Sequence, residues 1–463
     1  MEHTPTIRSK IETELKQRGY SFSSFSKISS INRGTFSTML NSNPPKPISV
    51  RQMDLITKAL GYPEGWLYEL YIDECFYAGK GHWKRIKPFL LRCVELERKD
   101  CIQKVLSRLT EDLSYVLTIF ELAEELHKGG KEAIPFYECV VENERYYHSE
   151  RLAISQYRLF SYSLNKDLEN NRQQAIKFAP YRKNLPENHQ LDALLKLANV
   201  YYQVDDCETT IQYAKELEVI ATNIYQQQIQ ARLKKREVKA LNTERHLIVY
   251  YGQAYLMQGN ILEKQGRYEE AMEFIPYYAD LTAFEGLDEV GILEVRKFEM
   301  WAKANHLNLE ILMGDITNLP AYVELIRDNP QEILLGLLTI LESANTYNYT
   351  IDDILILFDE NINEFRDLRT NISYYKTNYN LVTYSRFFLE LSRYYFNKGN
   401  YSEAIDSMLN SLKASSQLND KAFYIKSIML LFEKYKDHST HEQRAEYEKV
   451  LKAVEYNIKQ LTP

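Results

Sequence analysis

The amino-acid sequence predicts an all-α protein in which a small N-terminal domain precedes a long array of helices. Apolar residues recur at spacings of three and four along nearly the whole chain, whereas strict alternation is scarce, and this periodicity is typical of helices. The 463 residues include only 16 glycines and 13 prolines, so residues that break helices are sparse. A chain of this length should hold two or more domains and bury a large core.

Composition narrows the class of protein. No apolar run is long enough to span a bilayer, and the N-terminus lacks the basic region and apolar core of a secretory signal. The five cysteines are odd in number and show no C-x-x-C spacing, which favours buried thiols in a reducing compartment over disulfides or zinc. We therefore expect a cytoplasmic protein that has no contact with a membrane.

Charge is distributed unevenly along the chain. Residues 1–66 carry nine Lys or Arg against five Asp or Glu, a net charge of +4, whereas the remainder carries −11. A basic N-terminal segment followed by an acidic remainder is typical of a protein whose N-terminal segment binds a polyanion. An excess of four charges is modest, so charge alone does not decide the function.

Four or five short helices are predicted within residues 1–70. A first helix presents Ile7, Ile11 and Leu15 on one face, and a second helix follows after a glycine. A capping-box pattern of Ser49 with Gln52 then predicts the start of a later helix. Short helices with a tight turn between the second and third are typical of a helix-turn-helix domain.

The third helix of this segment carries the candidate functional residues. It is predicted to begin after Asn32, a good N-cap residue, and to turn Phe36, Met39 and Leu40 inward. The polar residues left on its N-terminal and outward parts are Asn32, Arg33, Thr35, Ser37, Thr38 and Asn41.

The stretch FSKISSINRGTFSTML, residues 25–40, resembles the Cro/repressor type of helix-turn-helix. Ile31 stands at the apolar position of the turn and Phe36 at the buried position of the third helix. The later stretch ITKALGYPEGWLYEL is similar to the closing helix of that domain. Two positions depart from the family pattern, because Ser30 replaces the common turn glycine and Phe22 replaces a glutamine that often contacts DNA.

The polar residues of the third helix suit double-stranded DNA. Arg33 can donate two hydrogen bonds to guanine, and Thr38 can reach a base edge or a thymine methyl group. Thr35, Asn41 and the helix N-terminus are better suited to phosphates. The alternative is an ordinary solvated helix face; the whole five-helix context favours DNA contact.

The rest of the chain contains internal repeats. QGRYEEAMEF at 265–274 and KGNYSEAIDS at 398–407 share Gly-x-Tyr-x-x-Ala, and their glycines lie 133 residues apart, close to four periods of about 34 residues. A degenerate copy lies at 194–217. The segment resembles a tetratricopeptide solenoid over roughly residues 90–460, within a predicted second domain of residues 71–463. The shared positions are Gly266, Tyr268, Ala271, Gly399, Tyr401 and Ala404.

A groove formed by the first helix of each repeat is the predicted binding surface, and it suits an extended peptide. Amide side chains there can both donate to and accept from a peptide backbone. For any single residue an ordinary solvated position is the favoured interpretation, whereas the groove as a whole favours peptide binding. The residues predicted to line it are Asn199, Tyr202, Gln203, Gln253, Asn260, Glu263, Arg386, Arg393 and Asn397.

The sequence contains no motif for catalysis. A phosphate loop, a nucleotide-binding glycine fingerprint and a nucleophile elbow are all missing. His438, His441 and Glu442 lack the H-E-x-x-H order of a zinc site, so a solvated helix start is favoured there. We expect no enzymatic activity, no catalytic residues, no metal and no cofactor.

A helix-turn-helix followed by a tetratricopeptide solenoid resembles the peptide-pheromone-responsive regulators of Gram-positive bacteria and their phages, the RNPP group, which includes the arbitrium receptors. The stretch LANVYYQVDDCETTIQYAKELEVI is similar to their mid-solenoid repeat, with Asn199 in the place of a peptide-holding asparagine. The resemblance implies a quorum-sensing transcriptional regulator. Such a protein is a cytoplasmic homodimer that binds a short signalling peptide and thereby changes its affinity for operator DNA.

Two other classes stay open. The first is a solenoid adaptor whose N-terminal domain docks a protein and not DNA. The second is a peptide-regulated inhibitor that acts on a partner protein through the solenoid, with the N-terminal domain unused for DNA. Loss of DNA retention on mutating Arg33 and Thr38 would favour the regulator over both.

Overall fold

Within the residues that the structure describes, the fold is all-α apart from one short pair of strands, and the sequence predicts this class. The computed structural model describes residues 6–43, 46–77, 80–145, 149–165, 167–237, 241–366, 378–416 and 422–461. None of the helices in these ranges combines the length and the apolar character needed to cross a membrane. The chain divides into two compact units, residues 1–163 with 180–186, and residues 164–179 with 187–463.

The first unit holds the N-terminal helices and contains the whole of the segment predicted to bind DNA. An antiparallel pair of two-residue strands, β1 Phe76–Tyr77 and β2 Lys80–Gly81, follows a 3-10 turn. Its described α-helices are α1 Ile7–Gln17, α2 Phe22–Ser29, α3 Arg33–Asn41, α4 Val50–Ala59, α5 Tyr68–Tyr71, α6 Trp83–Glu95, α7 Lys99–Leu109, α8 Tyr115–Lys128, α9 Ile134–Glu144 and α10 Glu150–Ser163.

Local capping explains where α3 and α4 begin. The Asn32 side chain accepts a hydrogen bond of 2.8 Å from the Gly34 amide, so Asn32 is the predicted N-cap of α3. Ser49 and Gln52 form the predicted capping box of α4. Between α2 and α3, Ser30 has a φ of 57°, a left-handed conformation that a side chain disfavours, which explains why glycine suits this turn.

One continuous apolar core runs through the first unit from Ile7 to Val140. Phe36, Met39 and Leu40 are buried in it, as predicted for the inward face of α3. The Phe36 ring lies 5.2 Å from the Phe25 ring, centroid to centroid. Helix α3 is therefore held to α2 by aromatic packing, and its polar residues are left exposed or half-buried outside this core.

The second unit is a succession of helical hairpins. The helices of successive hairpins pack on one another within the unit. Its described α-helices are α11 Leu168–Phe178, α12 Glu187–Gln203, α13 Cys207–Leu233, α14 Leu247–Lys264, α15 Tyr268–Met272, α16 Pro276–Ala279, α17 Glu289–Leu312, α18 Leu319–Asp328, α19 Ile333–Tyr347, α20 Asp352–Leu357, α21 Asp359–Arg366, α22 Asn378–Asn397, α23 Tyr401–Ser416, α24 Ala422–Tyr435 and α25 His441–Leu461.

The two Gly-x-Tyr-x-x-Ala motifs form the same turn. In each, one helix ends two residues before the glycine and the next begins two residues after it. Gly266 and Gly399 have φ values of 72° and 78°, which glycine adopts without strain. Ala271 and Ala404 are buried where the two helices of the hairpin meet, so the small side chain permits their close approach.

The degenerate copy repeats this geometry with different residues. Helix α12 ends at Gln203 and α13 begins at Cys207, with Asp205 in the left-handed conformation at a φ of 56°. Asp206 caps α13 by accepting a hydrogen bond from the Thr209 amide. Thr210 takes the place of the alanine and is fully buried. Register and backbone shape are thus kept although the glycine is absent.

The first helices of successive hairpins, α12, α14, α17, α19 and α22, lie side by side. Contact between α14 and α17 depends on Gly252, because an added Cβ there would lie 2.6 Å and 2.8 Å from two ring carbons of Phe298. Phe298 is fully buried, so its ring has no room to withdraw. Neighbouring first helices therefore form one continuous surface with a closely packed base.

We expect Gly252→Ala to lower the free energy of unfolding by about 1–3 kcal/mol, since an overpacked core must shift to relieve the clash. Gly259→Ala on the same helix is the matched control, because its nearest neighbour, Phe274 Cβ, would be an ordinary 3.4 Å away. That control should be neutral or slightly stabilising, given the better helix propensity of alanine. Thermal unfolding of the two variants tests this packing, and equal unfolding midpoints would contradict it.

Candidate functional site

The polar surface of α3 is the first candidate site. Asn32, Arg33, Thr38 and Asn41 are exposed, whereas Thr35 is half-buried. Ser37, the sixth predicted DNA-binding residue, is also half-buried. All six lie on a nine-residue helix or at its N-cap, and none of them is among its buried residues.

Hydrogen bonds on α3 decide what each side chain can offer. The Thr38 hydroxyl donates to the Thr35 carbonyl at 2.9 Å, which leaves its methyl group and oxygen lone pairs for a ligand. The Asn32 amide oxygen is taken up by capping, so only its amino group is left to donate. Among the described residues the Arg33 guanidinium has no hydrogen bond or ion pair. Arg33 is thus the freest donor on this face.

A half-buried arginine fixes the far end of α3. Arg8 on α1 donates from Nε to the Met39 carbonyl at 2.9 Å and from Nη2 to the Lys46 carbonyl at 3.0 Å. Its guanidinium also forms an ion pair with Glu74. The last turn of α3 and the loop after it are therefore tied to α1, a positioning role that sequence patterns do not reveal because the partners are far apart in the chain.

A cavity of about 190 Å³ in the second unit is the second candidate site. It lies where the first helices α12, α14, α17, α19 and α22 come together, with α18 at one side. Four of the predicted peptide-binding residues line it: Tyr202, Asn260, Glu263 and Arg386.

The other five predicted residues do not line this cavity. Asn199 and Gln203 are exposed on α12, and Gln253 is half-buried on α14. Arg393 and Asn397 are exposed near the end of α22, where Arg393 pairs with a glutamate one turn earlier on its own helix. Their predicted part in peptide binding stays a prediction.

Asn308 organises the polar wall of the cavity. Its side-chain oxygen accepts hydrogen bonds from the Tyr322 hydroxyl at 2.9 Å and the Thr339 hydroxyl at 2.6 Å. Because two donors occupy the oxygen, the Asn308 amino group is directed to Glu263 Oε1 at 3.0 Å. The second oxygen of Glu263 receives no hydrogen bond from any described residue.

Acidic groups predominate in the lining. Burial raises the pKa of Glu263 to about 7. Burial also raises the pKa of Glu332, which has no side-chain capping bond at the start of α19. The pKa of Glu342 is raised for the same reason, although Arg386 pairs with it at 2.5 Å. The cavity is therefore a place where negative charge is costly and a positive ligand would be stabilising.

Several cavity residues were not predicted. Asn305 and Asn308 are one turn apart on α17, and Thr339 and Glu342 are one turn apart on α19. The sequence signal was present, since ILLGLLTILESANTY is an apolar run interrupted by polar residues three apart. Polar residues at that spacing lie on one face of the helix, and on a buried helix their side chains need hydrogen-bond partners.

Comparison with known families gives one match. Residues 252–275 match the tetratricopeptide repeat, and they span most of α14, the Gly266 turn and α15. No curated protein was found to match the chain. The molecule is thus an all-α protein that carries a tetratricopeptide-like repeat, and that repeat contributes Asn260 and Glu263 to the cavity.

Proposed function

We propose that the chain is a transcriptional regulator that binds operator DNA through α3 and is switched by a short signalling peptide held between the first helices of its hairpins. The first four helices with the α2–α3 turn form a helix-turn-helix domain in this proposal. The observation that carries the proposal is the contrast between buried and exposed residues on α3. Phe36 packs into the core, whereas Arg33 and Thr38 are exposed to solvent.

Free donors at the start of α3 support DNA contact. An exposed Arg33 without an internal partner can donate to O6 and N7 of guanine in the major groove. The helix N-terminus adds favourable interaction with phosphate. Arg8 holds the end of the helix in place, so the contacts require little reorganisation of the free protein.

The cavity supports peptide binding. Tetratricopeptide repeats offer the surface of their first helices to ligands, and this cavity lies on that surface. Amides such as Asn260 and Asn305 can pair with a peptide backbone, and Glu263 supplies a charged anchor. The remaining predicted residues lie on α12, α14 and α22 outside the cavity.

The resemblance to the RNPP regulators supports the rest of the proposal. It implies a homodimer, because a single helix-turn-helix makes few contacts and a two-fold pair doubles them across two half-sites. It also implies a cytoplasmic location, where operator DNA and an imported peptide meet.

A protein partner is the second candidate function. The tetratricopeptide match and the acidic second unit are also suited to an adaptor or inhibitor that acts on a partner protein. In that case α3 would be a solvated face without a ligand. The DNA-binding variant described next separates the two functions.

Arg33→Ala is expected to weaken binding to a preferred operator, selected from random DNA with the wild-type protein, by about 1–3 kcal/mol and to relax base preference at one position. A phosphate contact would weaken binding to every sequence alike. Arg236→Ala, which removes an exposed arginine of the second unit, is the matched control and should change neither quantity.

Titration of selected and scrambled DNA with the three proteins measures both effects. If Arg33→Ala binds every sequence as the wild type does, α3 does not read bases. If the wild-type protein retains no DNA at all, the partner-protein function replaces the regulator.

A further inference from the structure

The cavity holds more negative charge than its own cations neutralise. Glu263, Glu332 and Glu342 line it, against Lys264 and Arg386. Lys264 is engaged elsewhere, because its ammonium pairs with Asp205 at 2.7 Å and lies 3.9 Å from the centre of the Tyr202 ring. Arg386 forms its ion pair with Glu342, which leaves Glu263 and Glu332 without an ion-pair partner among the described residues.

Neither of these two carboxyl groups has all of its oxygens hydrogen-bonded by the described residues. Glu263 has one neutral donor, Asn308, on a single oxygen. Glu332 receives no hydrogen bond or ion pair from the described residues. Both side chains are half-buried. A carboxyl group that is partly withdrawn from water and has unused oxygens is costly unless a cation or donor completes it.

We propose that this cavity receives a cationic group of the bound peptide, either its terminal ammonium or the end of a lysine or arginine side chain, with Glu263 as the principal counter-charge. The inference rests on the proposed peptide-binding function and names the ligand chemistry of its site. At about 190 Å³ the cavity fits one charged group with a few waters and not a whole peptide. The remainder of the peptide then lies along the first helices outside it.

The surroundings suit a cation in other respects. The side-chain oxygens of Asn260 and Asn305 can accept from an ammonium or guanidinium group. The Asn305 amino group already donates to the Tyr278 hydroxyl at 3.0 Å, which directs its oxygen away from that tyrosine. An arginine or lysine would thus meet acceptors from α14 and α17 together.

Protonation of Glu263 should make the affinity for this cationic group depend on pH. The titratable groups that interact with Glu263 are Glu342 on α19, Arg386 on α22, Lys264 on α14, and the hydroxyls of Tyr268, Tyr278 and Tyr322. Burial raises the pKa of Glu263 to about 7, so a proton competes with the bound cation below that value. Affinity for an arginine-containing peptide should therefore rise about tenfold between pH 6 and pH 8.

The test uses the full chain and four pools of random hexapeptides. The pools have a free or an acetylated N-terminus, and each is made with or without basic residues. Peptides retained by the protein are identified by mass spectrometry. If the terminal ammonium is the ligand, acetylation abolishes retention; if a side chain is the ligand, omission of basic residues does so.

The best peptide is then titrated against the wild type, Glu263→Gln and Glu269→Gln. Glu269→Gln removes an exposed carboxylate outside the cavity and controls for net charge. Glu263→Gln should weaken binding about tenfold or more, and, for a basic side chain, it should abolish the pH dependence.

Three results distinguish failure of the inference from failure of the proposed function. If the acetylated pool without basic residues is retained as well as the other three pools, the ligand is not cationic, although peptide binding stands. Unchanged affinity of Glu263→Gln also overturns the assigned counter-charge. Retention of no peptide from any pool overturns peptide binding and the inference together.

Discussion

Phe36→Ala is expected to lower the free energy of unfolding of the first unit by about 3–5 kcal/mol and to abolish tight DNA binding. The Phe36 ring is fully buried, 5.2 Å from the Phe25 ring and 5.4 Å, edge to face, from the Phe22 ring. Removing it takes away apolar contact and leaves a space that the two remaining rings fill only in part. Because this ring holds α3 against α2, the proposed DNA-binding surface should lose its fixed position.

Ile28→Ala on the neighbouring helix is the matched control. Ile28 is 50 % exposed, so its truncation should cost about 0.5 kcal/mol or less. Thermal unfolding gives the stability of each variant, and titration of the selected operator gives its affinity. A Phe36→Ala protein that unfolds and binds DNA like the Ile28→Ala protein would contradict the described packing of α3.

The N-terminal helices were predictable because their signals are local. The N-cap of α3 and the capping box of α4 each need residues only two or three positions apart, and both occur as predicted. The inward residues of α3 follow from helical spacing alone. The clamp formed by Arg8 was not predictable, since it joins α1 to the end of α3 and to Glu74, which is 66 residues away.

The repeat turns show how far a motif determines structure. Gly266 and Gly399 form the predicted turn, but the helix after the first is only five residues long, whereas the helix after the second is sixteen. Pro276 explains the difference, because proline lacks the amide hydrogen that a continuing helix requires. The motif thus specifies the turn, and residues outside the motif decide the length of the helix that follows.

The cavity could be predicted only in part. Counting along the first helices placed Tyr202, Asn260, Glu263 and Arg386 on a shared surface, and they do line one cavity. The network around Asn308 was missed because its partners are 14, 31 and 45 residues away in the sequence. Periodicity identifies the face of a helix, whereas the packing of successive hairpins decides which faces meet.

Peptide binding is expected to change operator affinity by about fivefold to 150-fold, the usual range of coupling between two sites. A peptide that bridges several first helices binds more tightly to one arrangement of them, and the differential affinity favours that arrangement. The helices proposed to bind DNA are covalently joined to this unit, and the half-sites of an operator have a fixed spacing. In a homodimer a small change of curvature would therefore alter the fit of two α3 helices to DNA without touching either.

Asn199→Ala provides the variant for this coupling. Asn199 is exposed on α12, outside the cavity, at the position that the family resemblance assigns to a peptide-holding asparagine. The variant should lose the response to peptide and keep the peptide-free affinity for DNA. A full response in this variant would remove Asn199 from the peptide site and leave the cavity residues as its anchors.

One chain is proposed to bind operator DNA and a peptide and to couple the two, and a titration of the selected operator with and without the selected peptide measures that coupling. Fluorescence anisotropy of labelled operator gives the dissociation constant in each condition at one salt concentration, because DNA affinity depends strongly on salt. Coupling between the two sites should change the dissociation constant at least about fivefold when the peptide is saturating. The same dissociation constant with and without a bound peptide would contradict it.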